Sequence, residues 1–231
     1  MIYVMGDIHG CKEKYDDMLS QLNPQEMDAV FVLGDVIDQG DDGIAILNDM
    51  MYRANIYPVL GEREYYAKKF LPVIAEKGDA EKALASLEGE DKDMLAKWLS
   101  MKSEKTISNF LKLSEDDREA LLDYLEEFAA FEEIECKGKK FILTHAGISN
   151  HEDRDLYEHE EEDFVFAETD YGKAYFKDAF LVTGHTPTVA IDKKLLGKPY
   201  AKNKHLAVDG GAAFGGKLIA ICLDTLKVYY A

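Results

Sequence analysis

The sequence contains few of the residues that cross-link or stiffen a chain. Among its 231 residues are three cysteines, five prolines and one tryptophan. Cys11, Cys136 and Cys222 are scattered and lack the spacing of metal ligands, so we expect free buried thiols in a reducing cytoplasm and no disulfide framework. No apolar run reaches the roughly 18 residues of a membrane span, and no signal-like segment precedes the first strand. Neither secretion nor membrane insertion is predicted.

Basic residues are scarce as well. The chain has 27 Lys and Arg against 45 Asp and Glu, a formal net charge of −18. Nucleic-acid phosphates and anionic lipids would be repelled, so we expect neither as a partner, whereas the acidity suits solubility and cation binding. The apolar fraction of 47% is typical of a folded domain, and the length predicts a single domain over residues 1–231. The sequence does not indicate an oligomeric state.

Five short apolar runs end in glycine, aspartate or histidine. Each is typical of a buried strand followed by a polar turn, and in α/β proteins such strand ends converge at the site. From about residue 64 to 130 the pattern is almost entirely helical, which predicts an insert between two core strands. The runs are IYVMGDIHG, AVFVLGDVID, NIYPVLGERE, KKFILTHAGI and AFLVTGHTPT.

Carboxylates and imidazoles stand at these predicted strand ends. Asp7 and His9 are two residues apart, so their side chains leave the strand on one face and can share a cation. Asp35, His145 and His185 occupy equivalent places, although the whole chain has only six histidines, which makes chance a poor explanation. Mixed oxygen and nitrogen ligands favour manganese, with iron or zinc as alternatives, over magnesium or calcium. The sequence therefore predicts two adjacent divalent ions, as in dinuclear phosphatases.

The ordered motifs GDIHG, GDVIDQG, GERE, THAG, GHT and VDGGAAFGGKL resemble those of the calcineurin-like metallophosphoesterases. More narrowly, they are similar to bacterial serine/threonine phosphoprotein phosphatases and symmetrical diadenosine tetraphosphatases, over the whole chain. The resemblance implies an α/β (α+β) fold, a four-layer sandwich of two mixed sheets packed face to face between helices, with a dinuclear site at one edge. It also implies attack on a phosphoester by water that the two metals activate.

The same resemblance divides the predicted ligands between the two ions. Asp7 and His9 would hold the first ion, and His145 and His185 would hold the second. Asp35 would bridge them.

The third motif departs from the family, whose GNHE stands here as GERE. Glu62 replaces an asparagine ligand and can still coordinate the second metal through oxygen. Arg63 replaces the histidine that protonates the leaving group, and it cannot do so because an arginine stays protonated up to a pKa of about 12. Asp38 would orient that missing acid, and Gln39 stands where the family has a substrate-binding arginine. Glu168 stands near the place of another family arginine.

Two interpretations of Arg63 follow. Its guanidinium can bind phosphate oxygens in place of the missing arginine, or it can pair with Glu62 or Glu168 and fill the substrate's place. The first predicts a phosphatase acting on a phosphoprotein or small phosphoester with altered activity, or a nucleotide-polyphosphate hydrolase, whose better leaving group depends less on the acid. The second predicts an impaired pseudo-phosphatase with a metal-binding or regulatory role. The acidic run from His151 to Asp163 is expected to be a solvated loop.

Overall fold

The computed structural model describes residues 1–151 and 154–231, which form ten strands and nine α-helices joined by loops and short 3₁₀ turns. The strands are β1 (Ile2–Met5), β2 (Ala29–Val32), β3 (Ile56–Pro58), β4 (Phe131–Cys136), β5 (Lys139–Thr144), β6 (Ala179–Thr183), β7 (Tyr200–Lys202), β8 (His205–Ala207), β9 (Ile219–Cys222) and β10 (Val228–Tyr230). The helices are α1 (Lys12–Leu22), α2 (Gly43–Met51), α3 (Glu62–Lys77), α4 (Ala80–Ser86), α5 (Gly89–Leu99), α6 (Glu104–Leu111), α7 (Glu115–Glu126), α8 (Glu161–Val165) and α9 (Thr188–Ile191).

The strands form two five-stranded sheets, each of which mixes parallel and antiparallel pairs. The first has the order β10-β9-β1-β2-β3, with β1, β2 and β3 parallel and β9 antiparallel to both β1 and β10. The second has the order β4-β5-β6-β8-β7, with β5, β6 and β8 parallel. The parallel strands are neighbours within each sheet, so their carboxyl ends supply neighbouring loops.

Alternating side chains assign the two faces of each sheet. Val4 of β1 packs in one apolar cluster with Phe141 and Val182 of the second sheet, so the sheets face each other there. On the opposite face of the first sheet, Tyr3 and Met5 pack in the cluster that also contains the buried residues of α1, α2 and the α3–α7 region. Helix α8 packs against the outer face of the second sheet. The predicted fold of two mixed sheets between helices is confirmed.

Helices α3 to α7 occupy the whole stretch between β3 and β4. Their interior is apolar, because Phe70, Trp98, Phe110 and Leu125 are fully or almost fully buried in one cluster. Ser114 caps the last of these helices by accepting a hydrogen bond from the backbone N–H of Asp117. Among the described residues, no helix is both long and apolar enough to cross a membrane.

Candidate metal centre

The predicted ligands lie at the carboxyl ends of parallel strands, in the loops where the two sheets meet. Asp7 follows β1 and Asp35 follows β2, which is its parallel neighbour. His145 follows β5, and His185 follows the parallel neighbour β6. Each sheet therefore contributes the loops after two adjacent parallel strands to the candidate metal centre.

The five side chains form two overlapping groups. Asp7, His9 and Asp35 each offer an atom within 4.8 Å of the others, and so do Asp35, His145 and His185. Asp35 belongs to both groups, with one oxygen 3.5 Å from His9 Nε2 and the other 3.4 Å from His145 Nε2. A carboxylate between two ligand sets has the position of a bridging ligand.

Two of the imidazoles are oriented by backbone carbonyls. His145 Nδ1 lies 2.6 Å from the Leu33 carbonyl oxygen and His9 Nδ1 lies 3.2 Å from that of Ile37. A carbonyl only accepts, so each Nδ1 carries the proton and each Nε2 keeps its lone pair toward Asp35. Metal-binding histidines are held in this way. His145 Nε2 also lies 3.0 Å from His185 Nδ1, so one cation can contact both nitrogens.

The site loops adopt backbone conformations that few side chains accept. His9, Asp35 and His185 have φ angles of 49°, 47° and 61°. Non-glycine residues in this left-handed region are uncommon, and they concentrate where function requires a particular side-chain direction. The strain is carried by predicted ligands from both sheets.

The electrostatics of the buried cluster favour a cation. Burial, together with the charges of Asp209 and Asp35, raises the pKa of Asp7 well above its usual range. Burial also raises the pKa of Asp35, but His145, His9 and Arg63 outweigh it and hold that pKa below its usual value. Burial lowers the pKa of His145 to about 4, which leaves a neutral imidazole. Buried carboxylates with neutral imidazoles fit divalent metal ions of the transition series.

Glu62 lies beside the centre, but neither group among the described residues includes it. Its Oε1 accepts a hydrogen bond from Lys97 Nζ at 3.0 Å and lies 3.5 Å from the hydroxyl of Tyr66. The carboxylate therefore points along α3 toward the helical insert. Its predicted role as a ligand remains a prediction.

Arg63 contacts the central carboxylate directly. Its backbone N–H donates to Asp35 Oδ1 at 3.0 Å, and its Nε lies 3.5 Å from Asp35 Oδ2. The side chain thus pairs with Asp35, whereas the second interpretation predicted a pair with Glu62 or Glu168. Neither Nε nor Nη1 makes a hydrogen bond, and both are buried, so Nη1 is a donor without a partner beside the candidate metal ligands.

Asp38 and Gln39 are both held by the helical insert. Thr106 Oγ1 donates to Asp38 Oδ1 at 2.7 Å, and Trp98 Nε1 donates to Asp38 Oδ2 at 2.8 Å. Burial raises the pKa of Asp38 to about 6, although these two bonds oppose it. The Gln39 amide donates to the carbonyl of Met101 at 3.2 Å. Both residues are thus tied to α5, α6 and the loop between them.

Glu64, the last residue of the GERE motif, was not among the predicted site residues. It is fully buried, and its carboxylate accepts from the backbone N–H groups of Asp35, Val36 and Ile37 at 2.7, 2.8 and 3.1 Å. These bonds fix the loop that presents Asp35. The sequence did contain one indication of this role, because Glu64 is an acidic residue in the first turn of the helix that follows the GERE motif.

Glu64→Ala is expected to lower the free energy of unfolding by about 3 kcal/mol or more, because three buried backbone donors lose their acceptor. Urea denaturation in EDTA measures this effect without any contribution from bound metal. Glu76→Ala, which removes an exposed glutamate of the same helix, is the control and should change stability by less than about 0.5 kcal/mol. Equal stabilities for the two variants would contradict the assigned role.

The other acidic and histidine candidates lie elsewhere. Glu168 is exposed and lines a cavity with Ser149, His151 and Tyr175. In the acidic run, residues 152 and 153 lie outside the described part of the chain, and His159 Nδ1 contacts Asp163 at 3.2 Å. Neither of the two groups of candidate metal ligands contains a residue from the described part of this run.

Gly184 lets the GHT loop approach the first aspartate. A Cβ at this position would lie 2.2 Å from Asp7 Oδ1, which also accepts from the His185 N–H at 3.0 Å. We expect Gly184→Ala to displace Asp7 and to weaken metal binding by about 10-fold or more, as loss of an outer partner does. Calorimetric titration with manganese measures the change, and Gly172→Ala, in an exposed loop, should bind as the wild type does. Unchanged affinity in Gly184→Ala would show that Asp7 is not a ligand.

Comparison with known families agrees with the geometry of the site. The family profile described as calcineurin-like phosphoesterase matches residues 1–216. The chain belongs to this family. Over 149 residues it is 28% identical to a symmetrical bis(5′-nucleosyl)-tetraphosphatase from Wigglesworthia glossinidia brevipalpis, an alignment that covers 63% of the chain. The alignment spans 44% of that relative's length.

Two further comparisons cover nearly the entire chain. An asymmetrical bis(5′-nucleosyl)-tetraphosphatase, PrpE, from Oceanobacillus iheyensis is 24% identical over 245 residues, covering 95% of this chain and 87% of the relative. A protein serine/threonine phosphatase structure from Saccharomyces cerevisiae superposes with a TM-score of 0.56 at 11% identity, covering all of this chain and 78% of the other. The second likeness concerns the fold alone.

Proposed function

We propose that this calcineurin-like phosphoesterase is a dinuclear, metal-dependent hydrolase of phosphoesters with good leaving groups. Asp7, His9 and Asp35 would hold one ion, and Asp35, His145 and His185 the other. The observation that carries the proposal is the shared position of Asp35, whose two oxygens face the two ligand groups. Manganese is the expected metal because the ligand set mixes carboxylate and imidazole.

Two ions so held would polarise a phosphoryl oxygen and activate water. The chain's own contribution to substrate binding would come from Arg63. Its buried Nη1 has no hydrogen-bond partner and its Nε lies 3.5 Å from Asp35 Oδ2, and a guanidinium matches phosphate oxygens bidentately. This contact supports the interpretation that Arg63 has replaced the phosphate-binding arginine missing at Gln39.

The leaving group would depart without help from a protein acid. Arg63 stands in the place of that acid and does not release a proton near neutral pH. Asp38 is the residue expected to orient the acid. One of its carboxylate oxygens accepts a hydrogen bond from Thr106 and the other accepts one from Trp98. A general acid contributes roughly 10²- to 10⁴-fold to rate, and esters with poor leaving groups such as phosphoserine depend on it most.

Hydrolysis of two esters by the manganese-loaded protein tests the proposal. We expect turnover of p-nitrophenyl phosphate and at least about 100-fold slower turnover of a phosphoserine peptide, because only the second leaving group needs protonation. Protein treated with EDTA should be inactive toward both. Two bound metals without hydrolysis of aryl esters, phosphopeptides or dinucleotides would instead support the pseudo-phosphatase, whose supporting observation is the occupied carboxylate of Asp38.

A further inference from the structure

The last turn of α5 contacts two residues of the candidate site through consecutive side chains. Trp98 donates a hydrogen bond to Asp38 at 2.8 Å, and Lys97 pairs with Glu62 at 3.0 Å. Among the described residues, Lys97 forms an ion pair with no other carboxylate. This pair has no part in the proposed reaction, although Glu62 stands where the family has a metal ligand.

Glu62 stands close to the second ligand group, which consists of Asp35, His145 and His185. The backbone N–H of the next residue, Arg63, donates to Asp35 Oδ1 at 3.0 Å. Burial lowers the pKa of His145 to about 4, and the charges of Asp35 and Glu62 both oppose that shift. Glu62 is therefore a neighbour of this group, whereas its carboxylate lies outside the group of described ligands.

The ion pair offsets the charge that distinguishes Glu62 from the asparagine of the family motif. A glutamate carries one negative charge where an asparagine is neutral, and Lys97 supplies one positive charge to it. The ammonium group and the Tyr66 hydroxyl approach the same oxygen, Oε1, at 3.0 and 3.5 Å. These contacts direct the carboxylate of Glu62 toward α5.

The position of Lys97 allows a stronger cation to displace it. Its side chain is 53% exposed, and ion pairs in contact with solvent are weak because water screens them. Its ammonium group lies 5.5 Å from the ring centroid of Tyr66 and 5.3 Å from that of Phe166. Lys97 can therefore release Glu62 and keep favourable contacts with two aromatic rings.

We infer that Lys97 is a positioning residue that competes with the second metal ion for the carboxylate of Glu62. While the ammonium group holds Glu62, the second ion has Asp35, His145 and His185 as its protein ligands. When Lys97 releases the carboxylate, Glu62 becomes the fourth. Lys97 therefore lowers the affinity of the second ion. The inference rests on the proposed function for the presence of that ion.

Calorimetric titration of manganese into the metal-free protein tests the inference without any substrate. We expect Lys97→Met to lower the Kd of the second ion by about 10-fold, because an added carboxylate ligand raises the affinity of a cation site. In a Glu62→Gln background, the same substitution should change that Kd by less than about 2-fold, since only a screened charge is then removed. Equal effects in the two backgrounds would overturn the inference, because they would show that Lys97 acts without Glu62.

Two further variants serve as controls. Lys92→Met removes an exposed lysine from the same helix, and it should leave the Kd of both ions unchanged. Lys97→Arg keeps the positive charge and should bind the second ion as the wild type does. Thermal unfolding in EDTA measures structural effects, and Lys97→Gln is used if Lys97→Met impairs folding. A lower melting temperature with an unchanged Kd would assign Lys97 a structural role and contradict the inference.

The outcomes separate the role of Lys97 from the reaction. Two ions bound with the same Kd values by the wild type and Lys97→Met, alongside hydrolysis of p-nitrophenyl phosphate, would overturn the role of Lys97 and leave the phosphoesterase standing. A second ion that binds more tightly in Lys97→Met only when Glu62 is present, without hydrolysis of any ester, would do the reverse. Weaker binding of the second ion in Lys97→Met would also overturn the inference.

Discussion

The double substitution Glu62→Asn with Arg63→His is expected to raise the rate of phosphoserine hydrolysis by about 10²-fold. It restores a group that can protonate the leaving oxygen, and a general acid contributes roughly 10² to 10⁴ in rate. The lower end of that range applies because the new histidine lacks a free partner. Asp38, which would orient it, is already bonded to Trp98 and Thr106. Steady-state kinetics on a phosphoserine peptide with manganese measure the gain.

A third substitution sharpens this test. Thr106→Val, added to the pair, releases Asp38 Oδ1 for the introduced imidazole and is expected to increase the rate further. The control is Arg53→His, which changes an arginine paired with Asp49 on the surface of α2 and should leave the rate unchanged. If the double variant hydrolyses phosphoserine no faster than the wild type, position 63 is not the place of the general acid.

Asp35→Asn is expected to weaken the binding of both metals and to abolish hydrolysis. An asparagine keeps the size of the side chain but offers one weak oxygen where two charged ones now face the histidines. Replacing an outer partner of a metal ligand already costs about 10- to 100-fold in affinity, so the loss of a bridging ligand should exceed about 100-fold. Calorimetric titration with manganese and the rate on p-nitrophenyl phosphate measure the two effects.

Asp16→Asn is the matched control, because Asp16 is exposed and pairs with Lys12 one helical turn away. Thermal unfolding in EDTA checks that both variants keep the fold. Loss of one ion with the second retained at wild-type affinity would contradict a bridging role for Asp35, and it would assign that aspartate to a single ion.

The placement of the ligands was predictable from the sequence because it depends on local order. Parallel strands deliver their following residues to one sheet edge, so Asp7, Asp35, His145 and His185 could be expected to meet. Such positions can be predicted because each depends on one strand and the few residues that follow it.

The contacts of the helical insert were not predictable, because they depend on how several helices pack. No local pattern indicates that Lys97 reaches Glu62 or that Trp98 reaches Asp38, across 35 and 60 residues of chain. The role of Glu64 was not predictable for a related reason. Its role depends on three backbone donors of another loop, and a sequence does not display backbone direction. The contacts of the residues that depart from the family pattern can therefore be read only from the tertiary structure.

The count of bound metal ions tests the central claim most directly. The protein is dialysed against manganese, freed of excess by gel filtration, and analysed by inductively coupled plasma mass spectrometry against an accurate protein concentration. We predict two ions per wild-type chain, with fewer in Asp35→Asn and two in Asp16→Asn. A wild-type chain that retains one ion or none would contradict the dinuclear centre on which the proposed function depends.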